Sequence, residues 1–264
     1  MSDVVAGTFT SGVPYLRTGT GPALLVAAGL TTRHANPTGT MRRTSLAWAA
    51  PYAEHFTVYL ANRRPGLTEG TSMHELADDY ATAIEDDIGE PVLLHGTSTG
   101  GSVALQLAVD RPGLVRRLVL AAAACRLSAE GRAVMAEVAR LTAAGDTRAA
   151  MAMMAAAGTP PRLRPFARPA GWVMGQFAPA DQADMLVTIA AEDAFDAEPH
   201  LDRVTAPTLV LGGTADGFYS RELFERTAAG IPRGRAVVWE GRSHVSVAGG
   251  KVPAAVGLGY LLAG

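Results

Sequence analysis

Between Pro91 and Asp110 the chain reads PVLLHGTSTGGSVALQLAVD, which sets a serine between two glycines where a strand pattern gives way to a helix pattern. Residues 91–95 form a short apolar run suited to a buried strand, and Val103, Leu105, Leu107 and Ala108 fit one wall of the helix that follows. Gly96-Thr97-Ser98-Thr99-Gly100 matches G-x-S-x-G, the nucleophile elbow, in which a strained turn lifts the serine hydroxyl clear of the sheet edge. Such a turn brings the residues two before and two after the serine against neighbouring backbone, so both must be very small. Gly96, Gly100 and Gly101 meet that demand. A plain Gly/Ser loop is the simpler alternative; the flanking strand and helix favour the elbow.

The rest of the chain alternates strand and helix. Residues 4–17 read as an antiparallel pair with a Ser-Gly turn, and residues 23–28, 56–61, 118–124, 208–213 and 236–241 read as further strands. Residues 74–88 carry Leu76, Tyr80, Ile84 and Ile88 at helical spacing with Asp and Glu opposite, and helices are also expected near 220–230 and 252–262. This order predicts a mostly parallel sheet covered on both faces. Residues 126–204 break the alternation: they are helix-like, Ala-rich, and interrupted at 159–171, TPPRLRPFARPAG. They are expected to form a helical lid, inserted into a core made of residues 1–125 and 205–264. Six of the nine methionines lie there, and flexible thioethers suit an adaptable apolar surface, although packing within an Ala-rich bundle explains any one of them equally well. Met153, Met154 and Trp172 are the lid residues expected to line a substrate pocket.

A serine hydroxyl needs a base to take its proton and a third group to orient that base. Of six histidines, His244 in EGRSHVSV follows the last apolar strand, where a loop could carry it over the sheet edge toward Ser98. His34 lies in an early loop and could line the same mouth; His95 reads as a core residue, and His55, His74 and His200 as surface residues. The acid is expected at Asp216, in a Gly-rich turn directly after TLVLGG. Its rivals, Asp193, Asp196, Asp202 and Glu240, read as solvated charges or helix-end residues. The strand after the elbow helix offers no alternative, since residues 118–127, LVLAAAACRL, contain no carboxylate. The order serine, acid, histidine is the one expected for this motif. Main-chain amides of Thr99, at a helix N-terminus, and Leu30, after an early strand, are the expected oxyanion donors.

Composition narrows the function classes. With 264 residues, 48% hydrophobic and 18% charged, the chain can bury a large core. A net charge of -2 gives no footprint for nucleic acid, even though Lys251 is the only lysine among 23 basic residues. The arginine pairs at 42–43, 63–64 and 116–117 read as solvated faces. The single Cys125 excludes an intramolecular disulfide and a Cys-based metal cluster. The first residues lack a secretory pattern and the apolar runs are short, so a cytoplasmic protein without a membrane partner is expected. Oligomeric state is left open.

Together these residues resemble the α/β-hydrolase superfamily, in particular its lid-bearing serine esterases, lactonases and carbon-carbon bond hydrolases. The resemblance runs through G-T-S-T-G-G at 96–101, APTLVLGGTAD at 206–216 and GRSH at 241–244, in the family's order. It implies an α/β-hydrolase fold with an eight-stranded sheet, Ser98 as nucleophile, Asp216 as acid, His244 as base, and Leu30 and Thr99 as oxyanion amides, with no metal and no cofactor. Two places depart from the family pattern: Ala28-Gly29 stands where His-Gly is frequent, and residues 62–68, NRRPGLT, match Asp-x-Arg-Gly-x-Gly-x-Ser only in part. The expected activity is hydrolysis of a small to medium apolar carboxylic ester. Lactone opening or carbon-carbon cleavage by the same triad, and a ligand-binding protein that retains the fold with little turnover, are the alternatives.

Overall fold

The computed structural model describes residues 3–263. An antiparallel hairpin, β1 (Val5–Thr8) and β2 (Pro14–Thr18), opens the chain, followed by β3 (Ala23–Ala27), α1 (Gly39–Ala53) and β4 (Thr57–Ala61). Next come α2 (Met73–Thr82), β5 (Val92–Thr97), α3 (Thr99–Asp110) and β6 (Val115–Ala121). Four helices then intervene, α4 (Ala129–Ala143), α5 (Thr147–Gly158), α6 (Arg164–Gly175) and α7 (Ala183–Asp193), before β7 (Thr208–Gly213) resumes the alternation. The chain ends with α8 (Arg221–Gly230), β8 (Gly234–Trp239), α9 (His244–Ala248) and α10 (Lys251–Leu262). One sheet of eight strands results, in the order β1-β2-β4-β3-β5-β6-β7-β8, parallel from β4 to β8.

The central strands explain that order. Every residue of β3 and β7 is buried, as continuous apolar runs require when helices cover both faces of a parallel sheet. One core layer joins Leu25, Leu94, Leu118 and Val210 with α2, α3 and α8. The other joins Leu24, Leu93, Val119 and Leu211 with α1 and α10. Cys125 is buried.

Several expectations change. The amphipathic helix expected over 74–88 is α only to Thr82; Ala83–Ile88 continue as a π-helix closed by Gly89 at φ 78°. Helix α1 carries no pattern in the sequence: only Ala49 and Tyr52 are buried on it and no apolar stripe marks it. The proposed break at 159–171 covers too much: residues from Arg164 onward are helical. Pro165 falls in the first turn, where amides lack intrahelical acceptors, and Pro169 removes a single backbone bond. The Arg63–Arg64 pair is not a solvated face, since Arg63 is only 1% exposed.

Candidate active site

The bend after β5 places Ser98. Its backbone stands at φ 53°, ψ -129°, a left-handed conformation that costs a non-glycine residue on the order of 1–3 kcal/mol. The surroundings enforce it. A Cβ on Gly96 would stand 2.5 Å from the Cα of Gly101, and one on Gly100 would collide with the carbonyl of Ala27. The Ser98 amide donates to Ala121 O at 3.0 Å, which fastens the bend to the end of β6.

Asp216 and His244 come from neighbouring turns at the same edge of the sheet. The turn after β7 and the turn after β8 are joined by the Ala215 amide, which donates to Arg242 O at 2.9 Å. The Asp216 carboxylate is fully buried; Oδ1 accepts from the amides of Phe218 (2.8 Å) and Tyr219 (3.2 Å). Its other oxygen, Oδ2, lies 2.9 Å from His244 Nδ1, and His244 Nε2 lies 3.0 Å from Ser98 Oγ. An acid at Nδ1 fixes the proton there and leaves the Nε2 lone pair for the serine hydroxyl, a tautomer assigned from the bonding pattern. His244 is the first residue of α9 rather than a loop residue, and the imidazole is flanked edge-on by Phe218 (4.7 Å between centroids) and nearly parallel by Tyr219 (6.1 Å, 17°).

A second polar layer lies behind these three residues, and sequence patterning gave no sign of it. Glu192 of α7 is 2% exposed, and its Oε1 accepts from Ser102 Oγ (2.7 Å), one turn beyond Ser98, and from Tyr219 OH (3.0 Å). Burial, reinforced by the charge of Glu192, raises the Tyr219 hydroxyl well above its usual range and keeps it a donor. The insertion is thereby tied to the elbow helix and to the turn that holds Asp216. Asp184, near the start of α7, also accepts from the amides of Gly66 (3.1 Å) and Leu67 (2.7 Å).

Arg63 organises the loop after β3. Its guanidinium donates to Ala28 O and Gly29 O, both at 2.8 Å, and its Nε donates to His34 Nε2 at 3.2 Å. Burial lowers the Arg63 pKa, with Tyr80, Glu192 and Asp184 opposing the shift. The Gly29–Leu30 peptide is trans, so a Gly29 carbonyl turned toward Arg63 directs the Leu30 amide the opposite way. That loop lies against Ser98: a Cβ on Gly29 would be 3.4 Å from Ser98 Cβ. Neither the Leu30 nor the Thr99 amide has an acceptor among the described residues.

Of the residues expected at a pocket, His34 is buried with both nitrogens engaged, Nδ1 to Arg64 O (3.0 Å) and Nε2 to Arg63. Burial and the Arg63 charge lower its pKa to about 4, so the ring is neutral. Met153 and Met154 pack against the core, and Met153 lines a cavity of about 1200 Å³ beneath the insertion that also reaches Asp216 and Tyr219. Ser98 does not line that cavity. Trp172 is 48% exposed and lines an adjoining groove on the insertion that shares Met153 and Arg168 with that cavity. Among the rejected acids, Asp193 and Asp196 lie near Arg132 and Arg126, and Glu240 pairs with Arg221 at the surface. Among the described residues, no three His, Cys, Asp or Glu side chains cluster closely enough to hold a metal.

The family model described as "Alpha/beta hydrolase family" matches residues 24–253, which take in the sheet from β3 to β8 and leave out the hairpin β1–β2. RutD of Variovorax paradoxus (strain S110), described as a candidate carbamate hydrolase, is 29% identical over 170 residues, 62% of this chain and 63% of that protein. The alignment thus spans less than two thirds of that relative's length. Among solved structures, the alpha/beta hydrolase MGS-M2 from a Medee basin deep-sea metagenome library superposes with a TM-score of 0.81 at 15% identity, covering 96% of this chain and 94% of that one. The enol-lactonase from Burkholderia xenovorans LB400 superposes at 0.77 with 16% identity, over 98% of this chain and all of that one (100%). With the profile matched across most of its length and the sheet complete, the chain belongs to the alpha/beta hydrolase family.

Proposed function

We propose that the protein is a serine hydrolase that cleaves a small to medium apolar carboxylic ester through an acyl-enzyme. The observation that carries this reading is the unbroken contact from Ser98 Oγ to His244 Nε2 (3.0 Å) and from His244 Nδ1 to the buried Asp216 (2.9 Å). Ser98 Oγ attacks the carbonyl carbon as His244 Nε2 takes the hydroxyl proton, and Asp216 stabilises the imidazolium. The amides of Leu30 and Thr99 receive the oxyanion. Collapse of the tetrahedral intermediate breaks the bond to the leaving alkoxide, which takes the proton from His244. Water then repeats the sequence: His244 takes its proton, the acid leaves, and the proton returns to Ser98.

In this reading residues 126–204 act as a lid over a core of residues 1–125 and 205–264. Methionines along α5 give that lid an adaptable apolar surface, and Glu192 anchors it to the elbow helix. Turnover of nitrophenyl esters of increasing acyl length tests the substrate class. The reading expects activity on short and medium acyl chains, and turnover only of charged or sugar esters would contradict it.

The same attack on a carbonyl also opens a lactone or cleaves a carbamate. The carbamate reading is favoured by RutD, the lactone reading only by a structural likeness. Parallel assays on a lactone panel, a nitrophenyl carbamate and a vinylogous diketone rank these against simple esters.

A further inference from the structure

Helix α6 turns its apolar side away from the protein. Phe166, Val173 and Met174 are exposed on it, Leu163 precedes it and Phe177 follows in the next turn, with Phe166 75% and Phe177 73% exposed. Their spacing places Phe166, Ala170, Val173 and Phe177 on one stripe. Gly171 and Gly175 occupy the opposite side and seat α6 directly on α5: a Cβ on Gly171 would lie 2.5 Å from Met151 O, and one on Gly175 2.6 Å from Arg148 Cα. The apolar stripe therefore faces away from the helix that supports it.

The segment that carries this stripe is basic, and the acids near α6, Glu130 and Glu137, lie on the side of Arg164 and Arg168 that faces the cavity and groove of the insertion. From residue 147 to residue 180 the chain holds four arginines, Arg148, Arg162, Arg164 and Arg168, and no Asp or Glu, although the whole chain carries -2. All four are exposed, and none lies within 4.0 Å of a carboxylate among the described residues. Arg148 instead covers the Trp172 ring, 4.5 Å from its centroid. A second copy meeting this face about a two-fold axis would set the arginines against their own kind. An anionic bilayer offers phosphates to the guanidinium groups and hydrocarbon to the aromatic rings.

We propose that α6 and its flanking arginines dock the protein onto an anionic lipid surface, with the helix lying in the headgroup plane. No helix among the described residues is long and apolar enough to cross a membrane, so the contact is peripheral. This departs from the expectation that the protein has no membrane partner, which rested on the length of apolar runs. Arg168, Pro169, Gly171 and Gly175 interrupt the stripe in sequence and leave it continuous only in the folded helix. The proposal stands whichever bond Ser98 cleaves.

Flotation of the full chain with phosphatidylglycerol-containing vesicles, and with pure phosphatidylcholine vesicles, tests it. The expected result is about tenfold or greater preference for the anionic vesicles. That preference should weaken as salt is raised toward 1 M, where charges are screened within about 3 Å. Phe166→Ser/Phe177→Ser and Arg148→Gln/Arg162→Gln variants should each lose about tenfold in binding, with unchanged circular dichroism and unchanged turnover of a water-soluble ester. Failure to bind, equal binding to both vesicles, or variants that bind like the parent would overturn the proposal. So would sedimentation showing a dimer that these substitutions dissolve, since the face would then serve self-association.

Discussion

The guanidinium of Arg63 holds the carbonyl of Gly29 at 2.8 Å, and in doing so sets the direction of the next amide, that of Leu30. The arginine reaches this loop from the residues after β4, where the sequence suggested only a solvated basic pair. If the Leu30 amide receives the oxyanion, Arg63→Lys should lower kcat about 10- to 100-fold with little change in KM. Loss of an oxyanion donor outright costs about 10²–10³, and here the donor is displaced rather than removed. Arg63→Lys retains the charge, so a fall in KM-independent turnover with a near-parental melting curve separates positioning from general destabilisation.

Asp216 accepts two main-chain amides on one oxygen and His244 on the other. Asp216→Asn preserves shape but offers an amide group toward Nδ1, which favours the wrong imidazole tautomer. The expected loss in kcat is about 10⁴-fold at neutral pH. Steady-state kinetics on a nitrophenyl ester measures it, and a loss below tenfold would separate Asp216 from the reaction.

Glu192 touches neither Ser98 nor His244, yet Ser102 and Tyr219 both donate to its Oε1. Its Oε2 is buried without a partner among the described residues. Glu192→Gln keeps the volume and one acceptor, whereas Glu192→Ala leaves both hydroxyls unpaired at about 1–3 kcal/mol each. Thermal denaturation should therefore rank the variants parent, Gln, Ala, and Ala should also change kcat through the Tyr219 ring that lies beside His244. A Glu192→Ala protein as stable and active as the parent would remove this link between insertion and site.

Two buried histidines give stability a pH dependence. Burial lowers His95 to about 4, and burial with the Arg63 charge does the same to His34, from an ordinary value of 6.5. The unfolded chain thus binds more protons than the folded one between those values. Stability is fully present above pH 6.5 and is lost as pH falls toward 4, by roughly 3 kcal/mol for the fully buried His95. Urea denaturation midpoints across that window should fall with acidity, and a His95→Gln variant should show a shallower fall.

The parts legible in the sequence were those with local signatures. Ser98 declared itself by glycines two residues to either side, and Asp216 and His244 by lying just past apolar strands that the structure places side by side at β7 and β8. Arg63 and Glu192 have no such signature. One sits in a basic pair and the other among acids at the end of α7, and only the packing of distant elements shows that both are buried. Helix α6 was hidden for another reason: Pro165 and Pro169 look like breakers, but one occupies the first turn and the other costs a single bond.

The central claim concerns one atom, Ser98 Oγ. Intact-mass spectrometry after exposure to a fluorophosphonate, followed by peptide mapping, tests it most directly. The account predicts one adduct per chain, located on Ser98, absent in Ser98→Ala and strongly slowed in His244→Ala. An unlabelled parent protein, or a label that persists in Ser98→Ala, would contradict it.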